Sequence, residues 1–339
     1  MDILNRRQLL AGTAAVAMAG PARAITIGPM DANAALLALF DTMFAEDIAA
    51  SPERATALGL DGGANQGLKS RLSDYSRAGR DAALARAASQ LERLRAIDAD
   101  ALSPARRLDR DVVEYDLARR VANETRFSFG SARGNFAPYV LTHSDGAYRS
   151  VPGFLDSQHR VTSRGDADAW VARVEAFAVA LDQETERLQQ EAAMGVVPPA
   201  FLLDLALPQM RRLRAAPPAE SALVTGLARK ARAAGLDGDW TAPTSAIVEQ
   251  KVMPALDRQI AAVTTLRATA SMDAGVWRLP DGAAYYDAAV KSSTTTDTTA
   301  EAVHQLGLAQ VAEISGQINA LLTPLGLTRG TVGERLVAL

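Results

Sequence analysis

Apolar residues recur along this chain at spacings of three and four positions, and prolines or glycines interrupt the pattern repeatedly. This spacing places apolar side chains on one face of an α-helix, whereas strict alternation would indicate a strand. Aromatic residues make up only 5% of the chain, which favours helices because strands prefer aromatic and β-branched side chains. We therefore predict an all-α fold. The clearest apolar stripes are Leu36, Leu37, Phe40, Met43, Phe44 and Ile48 over residues 35–50, and Trp170, Val174, Phe177, Leu181 and Leu188 over residues 166–194.

Short connections between long helices predict antiparallel helical hairpins, and we expect the fold to be a multi-helical array of them. One helix is predicted over residues 76–97, and Ser103-Pro104 opens the next. In the second helix we expect one apolar face toward a core and one charged face toward water. The residues assigned to the core are Leu108, Val112, Tyr115 and Leu117, and those assigned to water are Arg106, Arg110 and Glu114.

Two irregularities are expected in this helical array. Pro254 lies within a helix predicted over residues 245–269 and should kink or split it, because proline lacks the amide hydrogen. The helical period is lost over residues 126–149, where glycine, serine, asparagine and proline are frequent. We predict one long irregular loop there, with a short strand around residues 139–142. Five embedded aromatic residues favour a loop that packs: Phe127, Phe129, Phe136, Tyr139 and Tyr148.

The first 24 residues resemble an export signal. Arg6 and Arg7 precede a short apolar run, and small residues at Ala22 and Ala24 suit signal-peptide cleavage. Adjacent arginines before a weakly hydrophobic stretch are typical of twin-arginine signals. A frayed helix or a lipid-facing anchor are the alternatives, but the run is shorter than the ~20 residues that span a bilayer. We predict a periplasmic or secreted protein, with one helical domain over residues 25–339.

Composition limits the remaining possibilities. Across 339 residues, 48% are hydrophobic and 22% are charged, which is typical of a globular protein. The net charge of −3 and the lack of a basic stripe argue against nucleic-acid binding. No second long apolar run predicts a transmembrane segment after the leader. Absence of cysteine excludes disulfides, thiolate metal ligands and a cysteine nucleophile.

The histidines do not form a metal-binding pattern. Only His143, His159 and His304 are present, and no two lie four positions apart, where both would share a helical face. Glu301 and His304 lie one turn apart and could form half of a helical metal site. Alternatively, Glu301 caps a helix that begins at Thr298, and His304 is a partly exposed residue of that helix. We assign no catalytic residue, no metal ligand and no cofactor to this chain.

Charged positions within the long helices are predicted to be solvated surface, as for Glu184, Glu186 and Arg187.

The segment Leu279–Val311 reads LPDGAAYYDAAVKSSTTTDTTAEAVHQLGLAQV and resembles the signature of the bacterial family "domain of unknown function 885". Looser similarity extends over most of the chain, including Pro52-x-x-Ala55-Thr56-x-Leu58-Gly59, Leu102-Ser103 and Val332-Gly333-Glu334-Arg335. The resemblance implies a helical, exported zinc peptidase of the gluzincin type, in which a glutamate activates zinc-bound water. It places the family's His-Glu-x-x-His motif toward the C-terminal end of a longer chain, and this sequence contains no such motif.

The same resemblance implies that this chain corresponds to the non-catalytic N-terminal portion of the family. Zinc is then implied for the full-length proteins only, and peptide substrate would be engaged together with a C-terminal half. The last ten residues, GTVGERLVAL, begin a helix without a closing cap, so we predict a truncated chain. Helices near its C-terminus should then expose apolar faces. The alternative is a free-standing periplasmic helical binding or scaffold protein.

Within the family-like segment, five residues are candidates for substrate binding. Asp281-Gly282 form a turn that leads into a helix, and helix N-termini attract anions such as a peptide carboxylate. Tyr285 and Tyr286 point in different directions from one helix, so one can pack inward while the other reaches a cleft. A turn with one core and one exposed aromatic residue is the alternative. His304, in the same segment, completes the set.

Overall fold

A computed structural model describes residues 31–131 and 136–339, and it confirms the predicted all-α fold. No strand is present within these residues. The proposed export signal, including Arg6, Arg7, Ala22 and Ala24, lies outside them. The helices are Ala32–Ala49 (α1), Pro52–Ala57 (α2), Arg77–Arg95 (α3), Pro104–Arg126 (α4), Ala147–Ser157 (α5), Arg164–Ala193 (α6), Ala200–Ala215 (α7), Ala222–Ala233 (α8), Thr241–Ile247 (α9), Met253–Thr269 (α10), Gly282–Thr294 (α11), Ala300–Leu322 (α12) and Val332–Val337 (α13).

Helix α6 is the centre of the main core. It begins at a capping serine, Ser163, whose side chain accepts a hydrogen bond from the Asp166 amide. It packs against α5, α8, α9 and α10. The predicted stripe of α6 is buried as expected, because its apolar period continues over about five turns, from Trp170 to Leu188. The buried residues of that stripe are Trp170, Val174, Phe177, Leu181 and Leu188, each at most 1% exposed.

A second, smaller core joins α1, α3 and α4. Helices α3 and α4 are antiparallel, because Arg80 near the start of α3 donates to the Phe127 carbonyl just after α4, at 2.9 Å. Near the other end of α3, Arg95 pairs with Glu114 at 2.8 Å. This hairpin agrees with the predicted architecture. Leu36 and Leu94 are fully buried in this core.

The face that α4 turns inward differs from the predicted one. Leu117 is buried, but Leu108, Val112 and Tyr115 are 65%, 60% and 41% exposed. Conversely, the side chains of Arg110 and Glu114, expected in water, are only 12% and 24% exposed and pair at 2.8 Å. Their charges are satisfied by each other and by Arg95 of α3, so they can lie beside the core. The face that α4 turns inward is therefore rotated about the helix axis relative to the predicted face, and the prediction for this helix was wrong in that respect.

Pro254 lies in the first turn of α10, directly after a π-helical turn, Val248–Val252. The π turn connects α9 to α10, so the predicted interruption takes the form of a bulge in the helical hydrogen bonding. Proline lacks the amide hydrogen for a regular helical hydrogen bond, and the wider π turn just before it accommodates that loss.

The irregular loop runs from 127 to 146, and its described residues pack as predicted. The expected strand around residues 139–142 does not form, and Tyr139, Val140 and Leu141 are buried without pairing to another strand. Gly130 adopts a φ of 109°, and a Cβ there would lie 2.5 Å from the Ala137 carbonyl oxygen. Glycine is therefore required where the two arms of the loop approach each other.

The C-terminal helices expose apolar surface, as we predicted. Helix α12 contacts α11, α13 and the short 3₁₀ segment that follows it, and its only buried residue is Leu322. Its N-cap is Thr299, whose side chain accepts from the Ala302 amide, so the predicted start at Thr298 was one residue early. The exposed apolar side chains of α12 are Val303, Leu306, Leu308, Val311, Ile314 and Leu321.

In the described part of the chain, no helix combines the length and apolarity needed to cross a bilayer.

Candidate functional site

A cleft of about 760 Å³ opens between the N-terminal helices and the irregular loop. Its walls come from the α1–α2 connection, residues 71–76, α3, α4 and the loop, and α6 contributes its floor. One predicted site residue, Tyr285 of α11, reaches this cleft. The cleft therefore brings together parts of the chain that are up to 238 positions apart, from Asp47 to Tyr285.

The floor of the cleft is held by a buried ion pair on α6. Arg187 donates to Glu191, one turn further along, at 3.0 Å, and their side chains are 2% and 4% exposed. The other oxygen of Glu191 accepts from the Gly130 amide at 2.8 Å, and Arg187 also donates to the Gly130 carbonyl oxygen. Both peptide groups of Gly130 are thus bound to α6, which fixes the loop. Burial raises the pKa of Glu191, although these partners oppose the rise.

A second arginine joins this loop from the opposite wall. Arg80 of α3 donates to the carbonyl oxygens of Phe127, at 2.9 Å, and Gly130, at 3.3 Å. Burial lowers the pKa of Arg80, and the nearby charge of Arg187 lowers it further. Two guanidinium groups therefore converge on the carbonyl oxygen of Gly130.

One wall of the cleft is aromatic. The ring of Tyr285 stacks on Phe129 at 5.5 Å between centroids, and it meets Phe127 and Phe136 edge-on at 5.1 and 5.2 Å. Tyr285 is 5% exposed, and burial raises the pKa of its phenol, which keeps the hydroxyl neutral. This cluster joins α11 of the family-like segment to the irregular loop.

The other residues of the predicted set surround a different feature. Gly282 and Tyr286 line a shallower groove of about 530 Å³ together with Trp277. Tyr286 is 51% exposed and Trp277 is 72% exposed. The two adjacent tyrosines therefore separate as anticipated, one packed inward and one at a groove.

The turn before α11 is closely packed. Asp281 adopts a left-handed φ of 55° and its carboxylate pairs with Arg126 of α4 at 2.5 Å. A Cβ on Gly282 would lie 2.1 Å from the Val276 carbonyl oxygen, so only glycine fits. The Asp281 carboxylate thus forms an ion pair that links α4 to the start of α11. Of this turn and the residues after it, Gly282 and Tyr286 line the groove.

His304 lies apart from both cavities. It is exposed on α12, and the Glu301 carboxylate one turn before it accepts from Gln305 at 2.7 Å. Within residues 31–131 and 136–339, no three histidine or carboxylate side chains gather as potential metal ligands. The described residues therefore do not provide a set of ligands for the zinc ion that the resemblance implies for the family.

The sequence did not lead us to expect the buried polar residues of α6. Glu184 and Arg187 were expected to be solvated, but they are 3% and 2% exposed; only Glu186 is on the surface. A signal was present, since Glu184 follows Leu181 by three positions, Arg187 follows Glu184 by three, and Glu191 follows Leu188 by three. These residues continue the buried stripe of α6.

Comparison with known proteins shows similarity over most of the chain. A crystal structure of a "putative lipoprotein" from Colwellia psychrerythraea has a similar fold, with a TM-score of 0.82 and 22% sequence identity. The similarity covers 91% of this chain and 54% of that one, so this chain spans about half the length of the protein it matches. No curated protein matches the chain. The family model described as bacterial protein of unknown function (DUF885) matches residues 52–339. The chain therefore belongs to this family of bacterial proteins.

Proposed function

We propose that this chain is an exported helical protein that supplies the non-catalytic wall of a peptide-binding cleft in a zinc peptidase-like hydrolase. The proposal rests on the position of Tyr285 in the cleft lining. This residue belongs to the family-like segment 279–311, and it forms part of the lining of the 760 Å³ cleft. Clefts that combine an apolar wall with a few polar groups are the usual sites of ligand binding.

Two further observations support this function. The sequence has three histidines and no His-Glu-x-x-His motif, so a zinc-bound nucleophile would require another polypeptide segment. The chain also spans about half the length of the similar Colwellia protein, which is described as a "putative lipoprotein". Export would agree with the signal-like residues 1–24, and the twin-arginine route remains part of this proposal.

Calorimetric titration with zinc, combined with a peptide hydrolysis assay, tests the proposal. We expect neither stoichiometric zinc uptake nor turnover by this chain alone. Hydrolysis should appear when a family segment that carries His-Glu-x-x-His is added as a separate polypeptide. Zinc uptake by this chain with turnover that stops on chelation would contradict the proposed role.

A free-standing binding or scaffold protein is the second candidate. It is favoured by the combination of arginine side chains and an aromatic wall in the cleft, which suits ligand binding without a metal ion. Peptide binding that persists while no mixture with a His-Glu-x-x-His polypeptide hydrolyses peptide would favour this candidate over the first.

A further inference from the structure

The charge of the cleft is opposite to that of the whole chain. Seven arginines and four carboxylates line it, an excess of three positive charges, whereas the chain carries a net charge of −3. A concave surface lined by one sign of charge concentrates ligands of the opposite sign. Three carboxylates already have arginine partners in the lining, namely Asp47 with Arg86 at 3.0 Å, Asp116 with Arg119 at 2.6 Å, and Glu124 with Arg120 at 3.0 Å.

The fourth carboxylate, Asp74, accepts a hydrogen bond from the Ser76 amide, and four arginines remain, of which Arg187 pairs with Glu191. Among the described residues, Arg54, Arg71 and Arg80 have no carboxylate within ion-pair distance. Arg54 and Arg71 are exposed, and their side chains donate no hydrogen bond to the described part of the chain. Arg80 binds only backbone carbonyl oxygens. These three guanidinium groups are therefore available to an incoming anion.

The floor adds a buried donor. The Nε atom of Arg187 is buried and has no hydrogen-bond partner among the described residues. A buried N–H group without an acceptor is unfavourable, typically by about 1–3 kcal/mol. An acceptor that entered the cleft could satisfy this donor.

The aromatic wall gives the cleft an apolar contact surface in addition to its positive charge. Phe129, Phe136 and Tyr285 lie in the same lining as the arginines. A ligand that spans the cleft would thus place an acidic group against guanidinium groups and an apolar side chain against aromatic rings. Guanidinium groups suit carboxylates because their planar N–H pairs match the two carboxylate oxygens.

We propose that this cleft binds acidic peptides, with peptide carboxylates at Arg54, Arg71 and Arg80 and a neighbouring apolar side chain at Tyr285. The proposal rests on the proposed function, because it takes the cleft to be a peptide-binding surface, and it adds the class of peptide. Binding should weaken as the salt concentration rises, because exposed charges are screened.

Isothermal titration calorimetry with three probes tests the proposal. The probes are N-acetyl-Phe-Glu-Glu, its uncharged counterpart N-acetyl-Phe-Gln-Gln-amide, and inorganic phosphate. We expect the acidic peptide to bind at least about tenfold more tightly than either of the others. Equal affinity for the two peptides would overturn the acidic selectivity. Phosphate binding as tight as that of the acidic peptide would overturn the peptide assignment.

A pair of double variants locates the site. Arg54→Gln with Arg71→Gln removes two exposed guanidinium groups without breaking a described side-chain hydrogen bond. We expect it to weaken binding of the acidic peptide roughly tenfold. Arg211→Gln with Arg212→Gln on α7 makes the same change in net charge outside the cleft and should leave affinity unchanged. Equal effects of the two pairs would refute the site.

These measurements separate this proposal from the proposed function. Loss of charge-dependent binding leaves the role in a peptidase untouched, since that role is judged by zinc uptake and complementation. Zinc-dependent turnover by this chain would reject the non-catalytic role even with the acidic preference intact.

Discussion

Arg187 and Glu191 form a buried ion pair of 3.0 Å on α6, and both side chains also bind the peptide groups of Gly130. This pair attaches the irregular loop to the central helix. A buried ion pair is weak evidence for net stabilisation, because desolvation opposes the attraction. Removal of one partner is different, since it leaves the other charge buried without compensation.

We therefore expect Glu191→Gln to lower the free energy of unfolding by about 3 kcal/mol, because Arg187 would keep its charge without a carboxylate. Glu186→Gln, on the exposed side of the same helix, should change it by less than about 0.5 kcal/mol. Urea unfolding followed by circular dichroism measures both values. If the two variants were equally stable, the ion pair would not be what fixes the loop.

His159 provides a second test, through its protonation. Its Nε2 lies 2.9 Å from the Asp166 carbonyl oxygen, which can only accept, so Nε2 carries the proton. Its Nδ1 lies 2.8 Å from an Arg173 nitrogen and must accept. Burial lowers the pKa of His159 to about 4, and the charge of Arg173 acts in the same direction. The ring is therefore neutral at ordinary pH.

The unfolded chain takes up a proton at this histidine near pH 6.5, whereas the folded chain does so only near pH 4. Stability should therefore fall as the pH falls from 6.5 to 4, by about 3 kcal/mol from this group. Nuclear magnetic resonance can follow the ring directly, with His159→Gln to assign its signal. A midpoint near pH 6.5 in the folded protein would contradict this prediction.

Glu184 should change the stability of the fold with pH in the opposite direction to His159. Burial raises its pKa to about 7, although its carboxylate accepts from the Ala147 amide at 2.7 Å. The folded chain binds a proton between about pH 4.5 and 7 that the unfolded chain has released, so this group destabilises the fold as the pH rises through that window.

Glu184→Gln should therefore raise the free energy of unfolding at pH 8 by up to about 3 kcal/mol. The gain should shrink as the pH falls to 4.5 and disappear below it, as wild-type Glu184 becomes protonated in both states. Glu186→Gln is the matched control and should show no such dependence on pH. A constant difference between Glu184→Gln and wild type across this range would show that packing, and not ionisation, controls the effect.

The helices themselves were largely predictable, because their determinants are local. The apolar period of α6 and the Ser103-Pro104 start of α4 lie within a few residues of the elements they control. In α4, two competing stripes have the same spacing, Leu108 with Val112 and Tyr115, and Val113 with Leu117 and Val121. The packing of α4 against α1 and α3, with the Arg95–Glu114 ion pair beside it, decides between them, and this packing is a tertiary contact.

Among the residues that line the cleft, Tyr285 was the only one that the sequence identified as a candidate for a binding site. Its arginines come from α2, α3, α4 and α6 and from the segment after α2, and no spacing in the sequence relates Arg54 to Arg187. Their convergence follows from the packing of the N-terminal helices on α6. The buried status of Arg187 was readable from its position on the apolar stripe, but its neighbours in space were not.

The exposed face of α12 leads to the last prediction. Leu306, Val311 and Ile314 lie on successive turns of α12 and are 57%, 65% and 53% exposed. Contiguous apolar surface of this kind is typical of an interaction site or of an association-prone face. We expect the purified chain to self-associate in a concentration-dependent way, and Val311→Glu with Ile314→Glu to shift it toward monomer in sedimentation velocity. Gln310→Glu with Gln317→Glu adds the same charge to the same helix without removing apolar surface and should not reduce association; a similar shift by both pairs would mean that net charge, not this face, governs association.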